Sequence, residues 1–405
     1  MKRVSFIGIG DELLNGKIQD RNTYTLSQFC RRNGYKLNHS MLIKDSKDSF
    51  NQALQFMMDS SDIVITSGGL GPTKDDLTKD FLCDFFQLKS IENKQALKIT
   101  QRNYQEKKRE YNPNERDYHF LPLEMKALFN KTGFAPGIYY KYKDKVILSL
   151  PGVPSEFNPM IEEHLEQKKN DFELMSYKTF GIPEATIFQS TDPDLWQNLS
   201  KFGKVTSLPH LVGVDIGIEV SKKQDQTIIH KVLQNSPVWI HVVALSSKNI
   251  YQLVFESLCE KKIKISFAES CTGGLLASHL TDFSGSSKIF NGSIISYNNQ
   301  IKSSELLVPK PIIDEYGVYS TQVTEYMSQE ASRKFNSHLS IATSGVAGPH
   351  DEGEENPAGT LAFTIKYKEE LYSRKIKLNF TQREQMKERF SQYIYFEILR
   401  FLNSL

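Results

Sequence analysis

The sequence predicts an α/β protein in which two α/β domains are joined by a small α+β module, and three observations carry that expectation. Apolar runs at residues 4–9, 62–66 and 263–267 each stop at a turn of small or polar residues and are followed by helix-forming segments, the alternation typical of parallel sheets. At 405 residues the chain is longer than one hydrophobic core usually supports. Between the two stretches of alternation, residues 175–245 carry their own strand signals but are too few for a large core.

Taken in order, residues 4–9 form a strand ending at Gly10, 22–32 read as a helix, and 62–66 are a second strand running into Ser67-Gly68-Gly69. Residues 145–150 are another strand, stopped by Pro151-Gly152-Val153-Pro154. The helix after it fades into the polar stretch 166–170, which sets the first domain at 1–170. The module at 175–245 has a strand near 178–181, a helix, and strands near Val205 and over 213–220. In the last domain, 248–405, a helix runs to Lys261, and a strand over 263–267 precedes a helix from Thr272. A strand reaching Tyr297, a helix from Thr321, a strand over 339–343, a hairpin over 359–378 and a terminal helix complete it. The acidic loop 350–356 is expected to be mobile.

Lysine plus arginine number 50 against 48 aspartate plus glutamate, a formal charge of +2, so no basic bias points to nucleic acid or an anionic membrane. Cys30, Cys83, Cys259 and Cys271 are widely spaced without a CxxC pair, which fits a reducing compartment and argues against structural zinc. The apolar run after Met1-Lys2-Arg3 is cut off by Asp11-Glu12, too early for a signal peptide, and no stretch suits a membrane span. The expectation is a cytoplasmic protein whose partners are small molecules, with neither a membrane nor a nucleic-acid surface.

Ala268-Glu269-Ser270-Cys271-Thr272-Gly273-Gly274 delivers a serine from a strand to the start of a helix. Such a turn exposes the hydroxyl, and unpaired N–H groups of Thr272, Gly273 and Gly274 can hold a developing oxyanion. The plainer reading makes Ser270 an N-cap and the glycines aids to close packing. Cys271 is a rival nucleophile, since thiolates are intrinsically stronger than alkoxides, but adjacent side chains on a helix face different directions. The segment Ile294-Ile295-Ser296-Tyr297-Asn298-Asn299-Gln300-Ile301-Lys302 adds a tyrosine and a lysine. A lysine serves as base only when its pKa falls from about 10.4 toward about 7–8, so Lys302 is expected to be desolvated; a solvated helix lysine is the alternative.

With Ser344-Gly345-Val346-Ala347-Gly348-Pro349, these segments resemble the carboxyl-terminal domain of the CinA (competence/damage-inducible) family. The resemblance extends over essentially the whole chain. It implies a nicotinamide-nucleotide amidohydrolase that turns nicotinamide mononucleotide into nicotinate mononucleotide and ammonia without a cofactor. It further implies Ser270 as nucleophile, Lys302 as its base, and Tyr297 as the neighbour that orients the pair or the substrate. Thr272, Gly273, Gly274, Asn298, Ser344, Gly345, Gly348 and Arg383 are the implied substrate-binding residues. After Pro349 this chain departs from the family: His350-Asp351-Glu352-Gly353 and Asn356-Pro357-Ala358-Gly359-Thr360 replace a glycine cluster, a lysine and Pro-Val-Gly-Thr. That exchange sets carboxylates beside a phosphate site. Lys387 stands where a companion arginine to Arg383 is usual.

Gly10-Asp11-Glu12-Leu13-Leu14-Asn15-Gly16, Asp20-Arg21-Asn22, Gly68-Gly69-Leu70-Gly71-Pro72-Thr73-Lys74-Asp75-Asp76 and Pro151-Gly152-Val153-Pro154-Ser155-Glu156 resemble the matching amino-terminal domain, similar to molybdopterin-binding proteins. Glycines clustered after an apolar strand let the backbone approach a pyrophosphate. The resemblance implies hydrolysis of ADP-ribose to AMP and ribose 5-phosphate with a divalent metal (Mg, Mn or Co) on Asp76, Asp45 and Asp20. Its implied nucleotide-binding residues are Gly10, Glu12, Asn22, Gly68, Gly69, Gly71, Thr73, Ser155 and Glu156. Aspartates at a helix start otherwise only compensate its dipole. The fold also hosts molybdopterin binding and nucleotidyl transfer, so a molybdopterin- or nucleotide-binding protein is the alternative. The middle module resembles the family's KH-like segment, yet Gly213 and Gly217 are spaced GxxxG within a strand, without the GxxG loop of a nucleic-acid-binding module. This counts against a non-enzymatic adaptor for DNA uptake or repair. The module reads as a spacer or dimer element, and a homodimer is expected.

Overall fold

The computed structural model of the chain describes residues 1–113, 117–167, 170, 172–189, 194–379 and 381–405. It divides into two compact units, Met1–Asp171 and Phe172–Leu405.

The strands of the first unit are β1 (Lys2–Ile9), β2 (Tyr35–Ile43), β3 (Ile63–Ser67), β4 (Ser90–Glu92), β5 (Phe120–Pro122), β6 (Lys126–Leu128), β7 (Gly137–Tyr142) and β8 (Lys145–Leu150). They form a sheet in the order β2-β1-β3-β8-β7-β6, with the first four parallel, β7 and β6 antiparallel, and β4 and β5 paired apart. Alternation along β1 explains the helix layers on both faces. Val4 and Phe6 pack with Leu26, Phe29, Phe157 and Met160 of the helices Asn22–Arg32 and Pro154–His164. Ile7 and Ile9 pack on the other side with Phe50, Leu54, Phe81 and Ile99 of the helices Lys47–Ser60, Thr78–Phe86 and Lys94–Glu106. The chain leaves β1 for β2 on one side and returns to β3 on the other, so the carboxyl ends of β1 and β3 border the crevice where winding reverses. Within the polar stretch expected to close this domain, residues 168 and 169 lie outside the described residues, and Asn170 is bonded back to the Arg31 carbonyl at 2.6 Å.

In the second unit, β9 (Glu173–Thr179), β10 (Gly203–His210), β11 (Gly213–Val220) and β12 (Val242–Leu245) make an antiparallel sheet ordered β10-β11-β9-β12. Tyr177, Val214, Ile216 and Ile218 pack against Ile229 and Leu233 of the helix Lys223–Gln234. Gly213 and Gly217 sit inside β11, opposite His210 and Thr206. An aromatic column joins this sheet to the terminal helix, Arg383–Ser404: Phe180 and His210 both stack on Phe396, at 5.0 and 5.1 Å and with interplanar angles of 8°.

The remaining strands, β13 (Ile265–Glu269), β14 (Phe290–Ile295), β15 (Leu339–Gly345), β16 (Thr360–Tyr367) and β17 (Glu370–Lys377), form a sheet ordered β14-β13-β15-β16-β17. β13 is parallel to both neighbours, and β16 and β17 are antiparallel. Ile265 and Phe267 pack toward helices Ile250–Lys261, Leu275–Thr281 and Arg383–Ser404, while Ala268 and Ala342 pack toward Asn299–Leu306 and Thr321–Phe335. The strand expected over 263–267 is thus displaced toward Glu269, and the helix expected from Thr272 begins at Leu275. Gly273 and Gly274 take positive φ, 60° and 97°, and hold residues 271–274 in a turn before the helix can start. Among the described residues no helix is long and apolar enough to cross a membrane.

Candidate active site

β13 lies between two parallel neighbours, so Ser270 at its carboxyl end emerges beside the ends of β14 and β15. The Ser270 N–H donates to the Thr343 carbonyl at 3.0 Å, which fixes its backbone to β15. The other partner arrives on the helix Asn299–Leu306, whose cap Asn298 accepts the Gln300 N–H at 2.7 Å. Lys302 on that helix is 2 % exposed; its Nζ donates to Ser270 Oγ at 3.1 Å and to the Ser296 carbonyl at 2.8 Å. Ser296 is held in turn, its N–H donating to the Glu269 carbonyl at 2.7 Å. Burial strips the ammonium of water and lowers the Lys302 pKa to about 8. A partly neutral amine therefore faces a serine hydroxyl, the arrangement that activates an oxygen nucleophile. Cys271 has the opposite environment. It lies in the core with Phe267 and Ala347, and burial pushes its thiol up to about 12, so it carries no thiolate at neutral pH.

The N–H groups expected to receive an oxyanion are mostly engaged. That of Gly273 donates to the Ser270 carbonyl at 3.1 Å, and that of Gly274 donates to Glu269 Oε2 at 2.9 Å. The Glu269 carboxylate also accepts the Leu276 and Ala277 N–H groups at 3.1 and 3.0 Å and the Ser293 hydroxyl at 3.3 Å, and Glu269 is fully buried. Thr272 alone of the three keeps an N–H with no bonded acceptor among the described residues; its hydroxyl pairs with Thr343 Oγ1 at 2.9 Å. Sequence reasoning gave Glu269 no role. The available signal was a carboxylate just ahead of a double glycine and a helix.

In the first unit a cavity of about 560 Å³ opens at the crevice between β1 and β3. Gly10, Glu12, Asn22, Gly68, Gly69, Gly71 and Glu156 line it, together with Arg21, Tyr118 and Phe134. Gly68 has φ 114°, and a Cβ there would lie 2.4 Å from the Ile9 carbonyl oxygen, so only glycine lets the β1 and β3 ends come this close. Asn22 Nδ2 donates to Ser67 Oγ at 2.9 Å and to the Gly152 carbonyl at 2.7 Å, stitching the ends of β3 and β8 together.

Two family models match the chain, the molybdopterin binding domain over residues 5–169 and the CinA C-terminal domain over 247–402. The CinA-like protein of Flavobacterium psychrophilum is 33% identical over 417 residues, covering 98% of this chain and 99% of that protein. The chain belongs to the CinA family. A CinA-like protein of Fervidobacterium nodosum is 34% identical over 90% of both chains. Among solved structures, the protein CinA of Thermoplasma acidophilum is similar at 27% identity and a TM-score of 0.37, covering 40% of this chain and 96% of that one.

Several residues of the CinA motifs stand where their sequence pattern did not suggest. Tyr297 is 59 % exposed and accepts from Arg383 Nη2 at 2.6 Å, and among the described residues it makes no hydrogen bond to Ser270 or Lys302. Arg383 also donates to the Gly348 carbonyl, spanning from Tyr297 to the turn after β15. Asn298 uses its amide oxygen as a helix cap. The Ser344 hydroxyl is turned inward to the Val318 carbonyl at 2.6 Å and is buried, not presented to a ligand. At Gly345 a Cβ would lie 2.4 Å from the Thr360 carbonyl oxygen, so this glycine serves strand packing. The acidic loop is internally tied, with Asp351 accepting the Ala358 N–H at 2.6 Å. Lys387, named only as the stand-in for an arginine, and Tyr319, to which sequence reasoning assigned no role, are both close by. The Lys387 amine lies over Gly273, 3.2 Å from where a Cβ would stand, and Tyr319 sits close enough to Tyr297, Glu352 and Arg383 to feel their charges.

In the amino-terminal CinA domain, Thr73 and Ser155 do not line the cavity. The Thr73 N–H holds the Asp76 carboxylate at 3.0 Å, and the Ser155 carbonyl accepts the Thr132 hydroxyl at 3.0 Å. Asp20, Asp45 and Asp76 line it, yet among the described residues no group of three or more His, Cys, Asp or Glu is placed to hold a metal ion. Each carboxylate is already bonded to a backbone N–H: Asp20 accepts those of Asn22 and Thr23 at 2.9 and 3.1 Å, Asp45 accepts that of Asp11 across the cavity mouth at 3.1 Å, and Asp76 is folded onto Thr73. The three therefore do not fit a preformed metal centre. Burial, and then the carboxylates of Glu12, Asp11 and Asp75, raise the Asp45 pKa.

Proposed function

We propose that the carboxyl-terminal part of this chain hydrolyses the carboxamide of nicotinamide mononucleotide, giving nicotinate mononucleotide and ammonia. The observation that carries this reading is the buried amine of Lys302, 3.1 Å from Ser270 Oγ and with a pKa near 8. Neutral Lys302 takes the hydroxyl proton as Ser270 Oγ bonds to the carboxamide carbon. The oxyanion that forms meets the free N–H of Thr272. Lys302 then returns the proton to the departing nitrogen, ammonia leaves, and the acyl group stays on Ser270 as an ester. Water, deprotonated by the same amine, attacks the ester carbon; the carboxylate departs and Ser270 recovers its proton. Arg383 and Lys387 are the cations that suit the substrate phosphate at the rim. The test is to follow ammonia from nicotinamide mononucleotide with the purified protein. No release by the wild type, or undiminished release by Ser270→Ala, ends the reading.

A second activity, cleavage of ADP-ribose to AMP and ribose 5-phosphate, is favoured by the cavity between β1 and β3. Its glycine turn suits a diphosphate, and Tyr118 and Phe134 supply aromatic rings for a base. Among the described residues the divalent cation expected with this chemistry has no built ligand set there. AMP formation with and without Mn²⁺ or Co²⁺ tests the activity; its absence in every condition leaves molybdopterin-like binding.

A further inference from the structure

Hydrolysis of a carboxamide gives a carboxylate of nearly the same shape, so an amidase that holds anions well beside its nucleophile is inhibited by what it makes. Free backbone N–H groups next to Ser270 would hold that carboxylate through charge-assisted hydrogen bonds. Glu269 changes this situation. Its carboxylate, one residue from the nucleophile and fully buried, accepts the N–H groups of Gly274, Leu276 and Ala277 at 2.9, 3.1 and 3.0 Å. The Gly274 donor, which a product anion beside Ser270 would use, is thus filled by the protein's own anion. The charge is also fixed where little water can screen it, so it acts on neighbouring groups. Beyond the dominant effect of burial, it contributes to pushing up the Cys271 thiol next door.

We propose that Glu269 makes the site select the neutral carboxamide over the carboxylate it yields. The inference rests on the amidase reading of Ser270 and Lys302. It casts Glu269 as a specificity-determining neighbour that touches neither Ser270 Oγ nor Lys302 Nζ. With Gly274 bonded to this carboxylate and Gly273 to the Ser270 carbonyl, Thr272 is the remaining donor of the three, so part of the oxyanion's stabilisation is given up for release of product. A side chain that merely braced the turn would raise or lower the affinities for amide and acid together. A charge that rejects the acid separates them.

The experiment measures KM for nicotinamide mononucleotide and the inhibition constant of added nicotinate mononucleotide, both by ammonia release, in wild type, Glu269→Gln and Glu269→Asp. In wild type the product constant is expected to exceed KM by about tenfold or more. The Gln variant, uncharged but still an acceptor, is expected to bring the two within about threefold. The Asp variant is expected to keep the wild-type ratio even where its turnover drops. Equal binding of amide and acid by the wild type overturns the proposal without reference to any variant, which covers the case of a Gln variant that does not fold. A ratio unchanged in a folded Gln variant also overturns it. If the wild type releases no ammonia, the amidase reading itself has failed; ammonia release with an unselective ratio removes only the role of Glu269.

Discussion

The amine of Lys302 is anchored by the carbonyl of Ser296 at 2.8 Å, closer than its 3.1 Å contact with Ser270. A carbonyl oxygen can only accept, so one N–H of the amine must point at it. Once the amine is neutral, its lone pair is left to face the Ser270 hydroxyl. Ser296 is itself held by the Glu269 carbonyl, so the residue ahead of the nucleophile also aims the base.

Removal of either member of the pair is expected to lower ammonia release by about 10³-fold or more, because groups that act as a unit fail together. Lys302→Arg is expected to be as inactive as Lys302→Ala, since a guanidinium stays charged at any working pH. Steady-state ammonia assays on the three variants check this.

Rate and stability should respond to pH through the same lysine. With a pKa near 8, kcat/KM is expected to rise about tenfold per pH unit below that value and to level off above it. For stability, the folded state binds the lysine proton less tightly than the unfolded state, whose lysine has a pKa of about 10.4. Stability therefore carries the full cost of the buried ammonium below pH 8 and recovers as pH rises from there toward about 10.4. Lys302→Met is expected to be inactive yet more stable at pH 7 by roughly 1–3 kcal/mol, less whatever the Ser296 carbonyl loses with its donor. Urea melts at pH 7 and 9.5 should show that gap shrinking at the higher pH.

Cys271→Ala is expected to keep amidase activity within a few-fold. The native thiol, buried and with its pKa pushed up to about 12, should resist alkylation by iodoacetamide at pH 7.5. Rapid labelling accompanied by loss of activity would return Cys271 to consideration as nucleophile.

Gly68→Ala separates the two units. At φ 114°, with the Ile9 carbonyl oxygen 2.4 Å from the new Cβ, the substitution should cost about 1–3 kcal/mol and deform the cavity mouth. Binding or cleavage of ADP-ribose should fall while ammonia release from the other unit stays at the wild-type rate. Thermal melts and the two assays, run in parallel, check this.

The layered α/β fold was legible because β1, β3 and β13 are apolar runs that terminate at glycine or serine turns, and those runs face helices on both sides. Ser270 and Lys302 were legible as a motif, although their 32-residue separation gives no local sign that the side chains meet. What the sequence hid was the direction of hydroxyls, amides and carboxylates. Ser344 looked like a ligand group and instead bonds to Val318, because nothing in a strand-end motif states which way its oxygen turns. Asp20, Asp45 and Asp76 looked like one ligand set, but each had a nearer backbone N–H to satisfy. The helix after Ser270 was placed too early since two glycines with positive φ extend the turn.

The rings of Phe180 and His210 that cover Phe396 give the middle sheet a duty toward the helix that begins at Arg383. A fragment severed before residue 248 would retain every group of the proposed amidase but bare a greasy flank on its last helix. Such a fragment should betray itself first by self-association and poor solubility, long before any defect in turnover could be measured.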